Sequence, residues 1–474
     1  MEIVRMKYLR ILPVIPAVSF LFILFNGCAS HCSDEIVSVS QAAHTNNALR
    51  KTLKVVTRDK VDLLVRYWQK GNENHIDSTL VSQNKTIHYP VLNCLKPSAQ
   101  YEYEIVVRSG NCESVSEKHT FTSDDLPLGL EDLFLMDKSD TTLLPEKFRS
   151  GYILTSRRDL PGIASIVDAK GKIVWYYQAN ETGFKVAHFT KNATVLSILA
   201  PPSYPTSYGN EILELSLTGD TLFHLKKGEK GFDKTIHHEI LWNDSNQLVT
   251  LTLEKRVFDL SSVGGQKKDT VAGDGILVLD HNGNKVWSWS VFDEMNPLND
   301  PNILRDKSDW LHANSLCIDK DGNYVVSFYL SGQIWKINSK TGKIIWKMGR
   351  GGDFKFPEGD EFYESHDAHF TPQNDMILFE NGTNKQQSRV WVYALDETNR
   401  KANLKLKVAL PSYLYSARMG SAYQVDSTFL VCSSQARSVV LTNEKGDIIW
   451  HLRLGFIPYR AEFIDSAALF HQSR

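Results

Sequence analysis

The chain has 474 residues, 42% of them hydrophobic, with 53 Lys and Arg against 55 Asp and Glu, for a formal net charge of -2. That length supports a large core and, by itself, two or three domains. The near balance of charge excludes a nucleic-acid surface or a polybasic membrane patch, so positive charge for an anionic ligand has to be local.

Basic Arg5, Lys7 and Arg10 precede an apolar run over residues 11–25, followed by Asn26-Gly27-Cys28. The run is shorter than the about 20 residues a spanning helix needs, and it suits the core of a signal peptide. A small residue before Cys resembles a bacterial lipoprotein box, with Phe25 where Leu is usual. Residues 1–28 are therefore assigned as an export signal with a lipobox-like Cys28. An ordinary signal peptide or an uncleaved anchor is the alternative. The expected location is the periplasm or the outer membrane, with a lipid anchor at Cys28 as the membrane contact. Export puts Cys32, Cys94, Cys112, Cys317 and Cys432 in an oxidising compartment. Their odd number leaves at least one unpaired, and Cys94 and Cys112 are close enough in sequence to be bridged. No CxxC or Cys/His zinc spacing occurs, and no metal or other cofactor is expected.

Residues 29–126 read as one small β domain. Strand-like alternation at 63–68, 101–107 and 119–122 is separated by polar turns. Within it, Leu95-Lys96-Pro97-Ser98-Ala99-Gln100-Tyr101-Glu102-Tyr103 looks like the tyrosine-corner region of a fibronectin type III/Ig-like β-sandwich. Such a domain implies a spacer or assembly role rather than catalysis. Residues 127–149 read as a linker.

From residue 150 to 474 the chain repeats. A strand ends in a polar turn with Gly, and an aromatic follows four residues later: Gly171/Trp175, Gly219/Phe223, Gly283/Trp287, Gly342/Trp346 and Gly446/Trp450. A degenerate sixth copy runs through Val392 to Asp396 and Asn399. Units of roughly 50 to 60 residues match four-stranded blades, with the aromatic packed between neighbouring blades. The predicted fold is all-β: a six-bladed β-propeller preceded by the small sandwich.

Upstream of each hairpin lies another strand, and several open on polar residues that a core does not need. These are Ala187-His188-Phe189, His237-His238-Glu239, Leu311-His312-Ala313-Asn314, Ser365-His366-Asp367-Ala368-His369 and Ala417-Arg418-Met419. The first strand of each blade lines a propeller's central channel. His238, His312 and His366, roughly 55 to 75 residues apart, would then converge on one point. His238 and His366 each stand ten residues before the first apolar residue of the next strand, Leu248 and Met376, so they are register-equivalent. Asn314, two residues beyond His312, is expected on the same side of its strand. His237 and His369 should point elsewhere, and His188 is left open.

Three imidazoles suit zinc with an open position, although only Glu239 and Asp367 lie near in sequence as outer carboxylates. They equally suit anion chemistry, in which protonated imidazoles and an amide hold sulfate or phosphate oxygens while a neutral imidazole attacks. The motifs HHE, DWxHxNS, and HDA ahead of Leu378-Phe379-Glu380-Asn381-Gly382 resemble the bacterial arylsulfate sulfotransferase family. The resemblance spans nearly the whole mature chain. It implies transfer of a sulfuryl group from a phenolic sulfate to a phenol, without a nucleotide donor, by ping-pong through a covalent sulfohistidine. His366 would be the nucleophile, and His238, His312 and Asn314 would hold the sulfate oxygens. One histidine would protonate the departing phenolate. The implied partners are the small-molecule donor and acceptor.

One departure stands out. Where the family carries a sulfate-clamping arginine after DWxHxNS, this chain has Tyr329, within Ser327-Phe328-Tyr329-Leu330. Arg418 is the candidate substitute and Arg389 a poorer one. The competing readings are a ligand-binding propeller impaired by Tyr329 and a His-ligated metal hydrolase.

Overall fold

Short runs rich in apolar residues, such as Thr194–Ala200 and Ser438–Thr442, are buried along their whole length, and antiparallel strands hold 53% of the chain. The computed structural model describes residues 36–42, 47–110 and 112–465. The expected export signal and Cys28 lie outside these. Six sheets of four or five strands form the six-bladed propeller, with strands nearly in sequence order within each blade. The innermost strands of blades one to six are Pro458–Ile464, Gly183–Phe189, Ile236–Trp242, Ala313–Ile318, Ser365–Phe370 and Ser421–Val425.

The ring closes at two places. Pro458–Ile464, from the C-terminal part of the chain, pairs with Tyr152–Arg157 as the inner strand of blade one. Phe134–Ser139 pairs with Ile448–Leu454 as the outer strand of blade six. The stretch 127–149, expected as a linker, thus belongs partly to the propeller. Phe134–Ser139 is exposed everywhere except at Phe134, so it carries no alternation by which to recognise a strand.

In five of the blades the repeated glycine sits in the hairpin before the fourth strand counted from the axis. Gly446 has φ of +89°, and a Cβ there would come within 2.5 Å of the Ala409 carbonyl oxygen in blade five. The aromatic that follows locks one blade to the next. Trp175 Nε1 donates to Leu217 O at 3.0 Å, and Trp450 Nε1 donates to Ala169 O at 2.7 Å. In blade three Trp289 makes this contact, with Gly342 O at 2.9 Å, while Trp287 packs against Tyr324. Trp346 instead reaches Glu397 at 3.0 Å, in the turn of the degenerate copy.

The N-terminal strands form a separate antiparallel assembly. One long strand, Lys51–Gln69, pairs with five others around a core that includes Leu53, Val55, Leu63, Tyr67 and Ile105. The Tyr101 hydroxyl accepts the Lys96 N–H at 2.8 Å, the contact expected of a tyrosine corner. The assembly rests on blade one, where Leu49 joins the core cluster. The expected Cys94–Cys112 bridge does not form: Cys94 is a free thiol, as are Cys317 and Cys432, while Cys112 is disulfide-bonded. Cys94 packs toward the core between blades one and two, whereas Cys112 opens the hairpin strand at the far end of Gln100–Ser109. Among the described residues no helix is long and apolar enough to cross a membrane.

At the axis a single arginine from blade one joins three other blades. Arg460 Nη1 bonds Glu239 Oε2 at 2.5 Å and lies 3.3 Å from Asp367 Oδ1, and its Nη2 donates to Asn314 O at 2.8 Å. All three charged groups are buried. Removing one partner of such a set leaves the others charged and uncompensated, which costs about 3 to 5 kcal/mol. Arg460→Met is therefore expected to lower the urea-unfolding midpoint strongly, whereas Lys191→Ala, at an exposed ion pair, should leave it in place. A midpoint unchanged by Arg460→Met would contradict a structural role for the axial set.

Candidate active site

The inner strands of blades three to six begin on one face of the ring, and three of the four begin with an irregularity. Register slips between His237 and Ile240, between Ala313 and Ser315, and between His366 and His369. In all four blades, left-handed backbone stands at or beside these places: His238 (φ 59°), His312 (φ 57°), Asp367 (φ 54°) and Met419 (φ 59°). Such residues cost of order 1 to 3 kcal/mol each and persist where surrounding packing holds them. A bulge re-aims the side chains beside it. Here it turns imidazoles toward the channel mouth.

The result is a cleft of about 360 Å³ lined by His238, His312, His366, Tyr329, Arg418 and Tyr208, among others. The His238 and His312 rings are 5.1 Å apart, and Tyr329 stands between His312 (5.9 Å) and His366 (5.2 Å). Five of the six residues singled out from the sequence meet here. Asn314 does not. It is fully buried, and its Nδ2 donates to Ser365 O at 2.6 Å while its carbonyl accepts from Tyr459 and Arg460. The alternation that put it beside His312 assumes an extended strand, and the left-handed turn and the register slip break that alternation. Arg389 is also elsewhere, paired with Glu380 at 2.7 Å.

Neighbours of opposite polarity determine the tautomer of His366. Its Nε2 accepts the Met419 N–H at 3.3 Å, so that nitrogen is bare. Its Nδ1 carries the proton and donates to Asn381 Oδ1 at 2.6 Å. Asn381 is oriented in turn, because its Nδ2 donates to the carbonyls of Ser416 and Met419 at 2.8 and 2.9 Å. Burial, with the nearby cations His312 and Arg460, pulls the His366 pKa down to about 3. The imidazole is therefore neutral.

His312 is the opposite case. Burial disfavours its charge, yet its Nδ1 lies 2.8 Å from Asp309 Oδ2 and that carboxylate raises the pKa above 6.5. Asp309 also receives a hydrogen bond from Tyr208. His238 is held neutral by burial and by the positive field of its neighbours. Tyr329 donates its hydroxyl to Ala417 O at 3.0 Å, and burial pushes its pKa up. Arg418 takes part in no ion pair among the described residues.

Arg460, Glu239 and Asp367 separate this cleft from another of about 320 Å³ at the opposite mouth, where His188, His369, Tyr423 and Glu462 lie. His188 sits 2.5 Å from Glu239 and 3.3 Å from Glu462. Burial opposes its charge, but these carboxylates raise its pKa to about 10. His188 and His369 thus lie away from the three converging histidines. Among the described residues, no three His, Cys, Asp or Glu side chains are grouped so as to hold a metal ion.

A sequence model described as Arylsulfotransferase (ASST) matches residues 136–449, about two thirds of the chain. The chain belongs to the arylsulfotransferase family. The match covers four of the six blades in full, most of the other two, and every residue of the histidine cleft, and it supports a sulfotransferase. A search of curated protein sequences finds no significant match. Among solved structures, a Bacteroides caccae protein of unknown function is 11% identical with a TM-score of 0.43, over 66% of this chain and 98% of its own. A streptogramin B lyase is 10% identical with a TM-score of 0.37, over 70% and 95%. Likenesses this loose carry no argument about activity.

Sequence reasoning did not single out Asn381, Asp309, Tyr208 or Arg460. Asn381 and Asp309 lie inside the segments that carry the family resemblance, beside the histidines they orient. Tyr208 comes from a two-residue strand after a loop and has no periodic signal. In an NMR titration of the histidine rings, His366 should remain neutral at pH 5 while His312 is still protonated above pH 6.5. A His366 that titrates near 6.5 would contradict this division of charge.

Proposed function

We propose that this arylsulfotransferase moves a sulfuryl group from a phenolic sulfate ester to a phenol, with no nucleotide donor, through a sulfohistidine at His366. The observation that carries the reading is the bare, neutral Nε2 of His366 at the floor of the cleft. In the loading half-reaction this lone pair forms an N–S bond as the S–O bond to the aryl group breaks. The phenolate leaves with the electron pair. In the second half-reaction a phenol oxygen attacks the same sulfur, and the N–S electrons return to His366. The Met419 N–H, at a long 3.3 Å, marks the lone-pair direction and gives way on attack.

Sulfuryl transfer, like phosphoryl transfer, has a loose transition state, so positioning and charge stabilisation dominate. Cationic His312, held by Asp309, and Arg418 supply the positive charge. Tyr329 gives one hydrogen-bond donor and no charge where the family has arginine, a loss worth about 2 to 4 kcal/mol of transition-state stabilisation. Arg418 makes good part of it from the next blade but one. The aryl group packs against Tyr208 and Tyr329. The protein works in the cell envelope, exported by its N-terminal segment and held through Cys28.

A second reading, a binding propeller without turnover, is favoured by one observation: the Tyr329 hydroxyl is tied to Ala417 O and fills the space between two of the histidines. Initial rates separate the two. With a chromogenic aryl sulfate and no nucleotide, phenol release should accelerate with added acceptor and give parallel double-reciprocal lines. His366→Ala should abolish release, Arg418→Ala should slow it by about 10- to 100-fold, and Tyr329→Arg should speed it. No release from the folded, unaltered protein would leave the binding reading. A rate that falls in Tyr329→Arg would mean that tyrosine belongs to an altered site.

A further inference from the structure

We infer that Asp274 and His237 form a buried relay behind His238, which sets His238 as the acid–base group of the transfer. This rests on the sulfotransferase reading above and specifies which histidine handles the phenolic proton.

His237 is completely buried, and its Nδ1 lies 2.7 Å from Nδ1 of His238. Two ring nitrogens this close share one proton, so one ring donates and the other accepts. The far side of His237 decides which. Its Nε2 is 3.4 Å from Asp274 Oδ1, long for a hydrogen bond; burial raises the Asp274 pKa to about 7, and above that pH the carboxylate is ionised and only accepts. Nε2 of His237 therefore carries a proton and its Nδ1 is bare. The shared proton then sits on His238 Nδ1, which leaves Nε2 of His238 bare, on a ring that lines the cleft. Asp274 is itself fixed, because its Oδ2 accepts the Ala313 N–H of blade four at 2.9 Å.

The backbone is strained to make this contact. Consecutive residues on a strand point to opposite sides. The left-handed φ of 59° at His238 and the register slip beside it bring two adjacent imidazoles together instead. A buried chain of two imidazoles and a carboxylate is costly unless each member is satisfied, and apolar residues would pack the same space without that cost. As in a Ser-His-Asp triad, the carboxylate at the end of the chain selects the tautomer at the reacting end.

The proton balance closes over a cycle. When the acceptor phenol oxygen bonds to sulfur, its proton passes to His238 Nε2. The resulting imidazolium keeps its Nδ1–H on His237, and Asp274 offsets the charge through that ring. When a donor ester loads His366, the same Nε2–H is given to the departing phenolate. In the empty cleft burial, with His237, His312, His366 and Arg460 around it, holds His238 neutral. The anionic sulfate ester favours its protonated form. His237 and Asp274 touch no substrate and are positioning residues.

Asp274→Asn tests this directly. Asparagine can still accept the Ala313 N–H, but it turns an N–H donor toward His237. The relay then runs backwards and His238 Nε2 becomes protonated and unable to act as a base. With para-nitrophenyl sulfate, whose leaving group needs no proton, loading of His366 followed by intact-protein mass should change by less than about 3-fold. Unloading to unsubstituted phenol should fall by about 100-fold, so the sulfuryl adduct accumulates. His237→Gln, which can donate to Asp274 and accept from His238 Nδ1, should keep both half-reactions near those of the unaltered protein. Nitrogen NMR of the histidine rings gives a readout independent of activity: His238 Nε2 bare in the unaltered protein and protonated in Asp274→Asn. Equal loss in both half-reactions, or an unchanged His238 tautomer, would overturn the relay while leaving the transferase reading intact. Absence of any adduct in the unaltered protein would overturn both.

Discussion

The Arg460 guanidinium at the propeller axis is the interaction on which the histidine cleft depends. It belongs to the strand that closes the ring, and it reaches the two carboxylates that follow two of the converging histidines: Glu239 after His238 and Asp367 after His366. Burial opposes its charge, but those carboxylates raise its pKa, and Arg460 with His188 holds Glu239 down at about 2. A charge set of this kind adds little net stability compared with a packed apolar core. Its effect is geometric: it fixes where the inner strands of blades three, four and five stand relative to blade one. It also divides the channel, so the cleft with His366 and the one with His188 open on opposite faces.

Within the cleft the protein keeps chemically identical side chains in different states. His366 and His312 are both largely buried, yet one is neutral and the other favours its cation. The difference lies in a single partner: Asn381, a neutral amide, against Asp309, a carboxylate. Pushing the pKa values of neighbouring groups apart is how one site holds a nucleophile and an electrostatic anchor together. Strained backbone at equivalent positions of four successive blades supplies the aim, and the hydrogen bonds behind each ring supply the tautomer.

The propeller was legible because its period is carried by a physical requirement, a left-handed turn followed by an indole that locks the next blade. Phe134–Ser139 was not, since an exposed edge strand has no buried face to show. The convergence of His238, His312 and His366 followed from the repeat alone. Asn314 was misplaced because strand alternation fails at a bulge, and bulges leave no mark in composition. Arg460 and Tyr208 escaped for another reason: what they do comes from long-range contact, across the axis and between neighbouring blades, and sequence separation hides such contacts. Cys94 looked like a partner for Cys112 by proximity in sequence, whereas its side chain packs toward the propeller.

The central claim is that the sulfuryl group passes through the Nε2 of His366. The most direct measurement is to incubate the protein with an aryl sulfate and no acceptor, quench it, and map the modified peptide. A single sulfuryl group on the peptide containing His366, lost on addition of phenol, is the result expected. A modification on His238 or His312, or product formation with no covalent species at any time point, would contradict it.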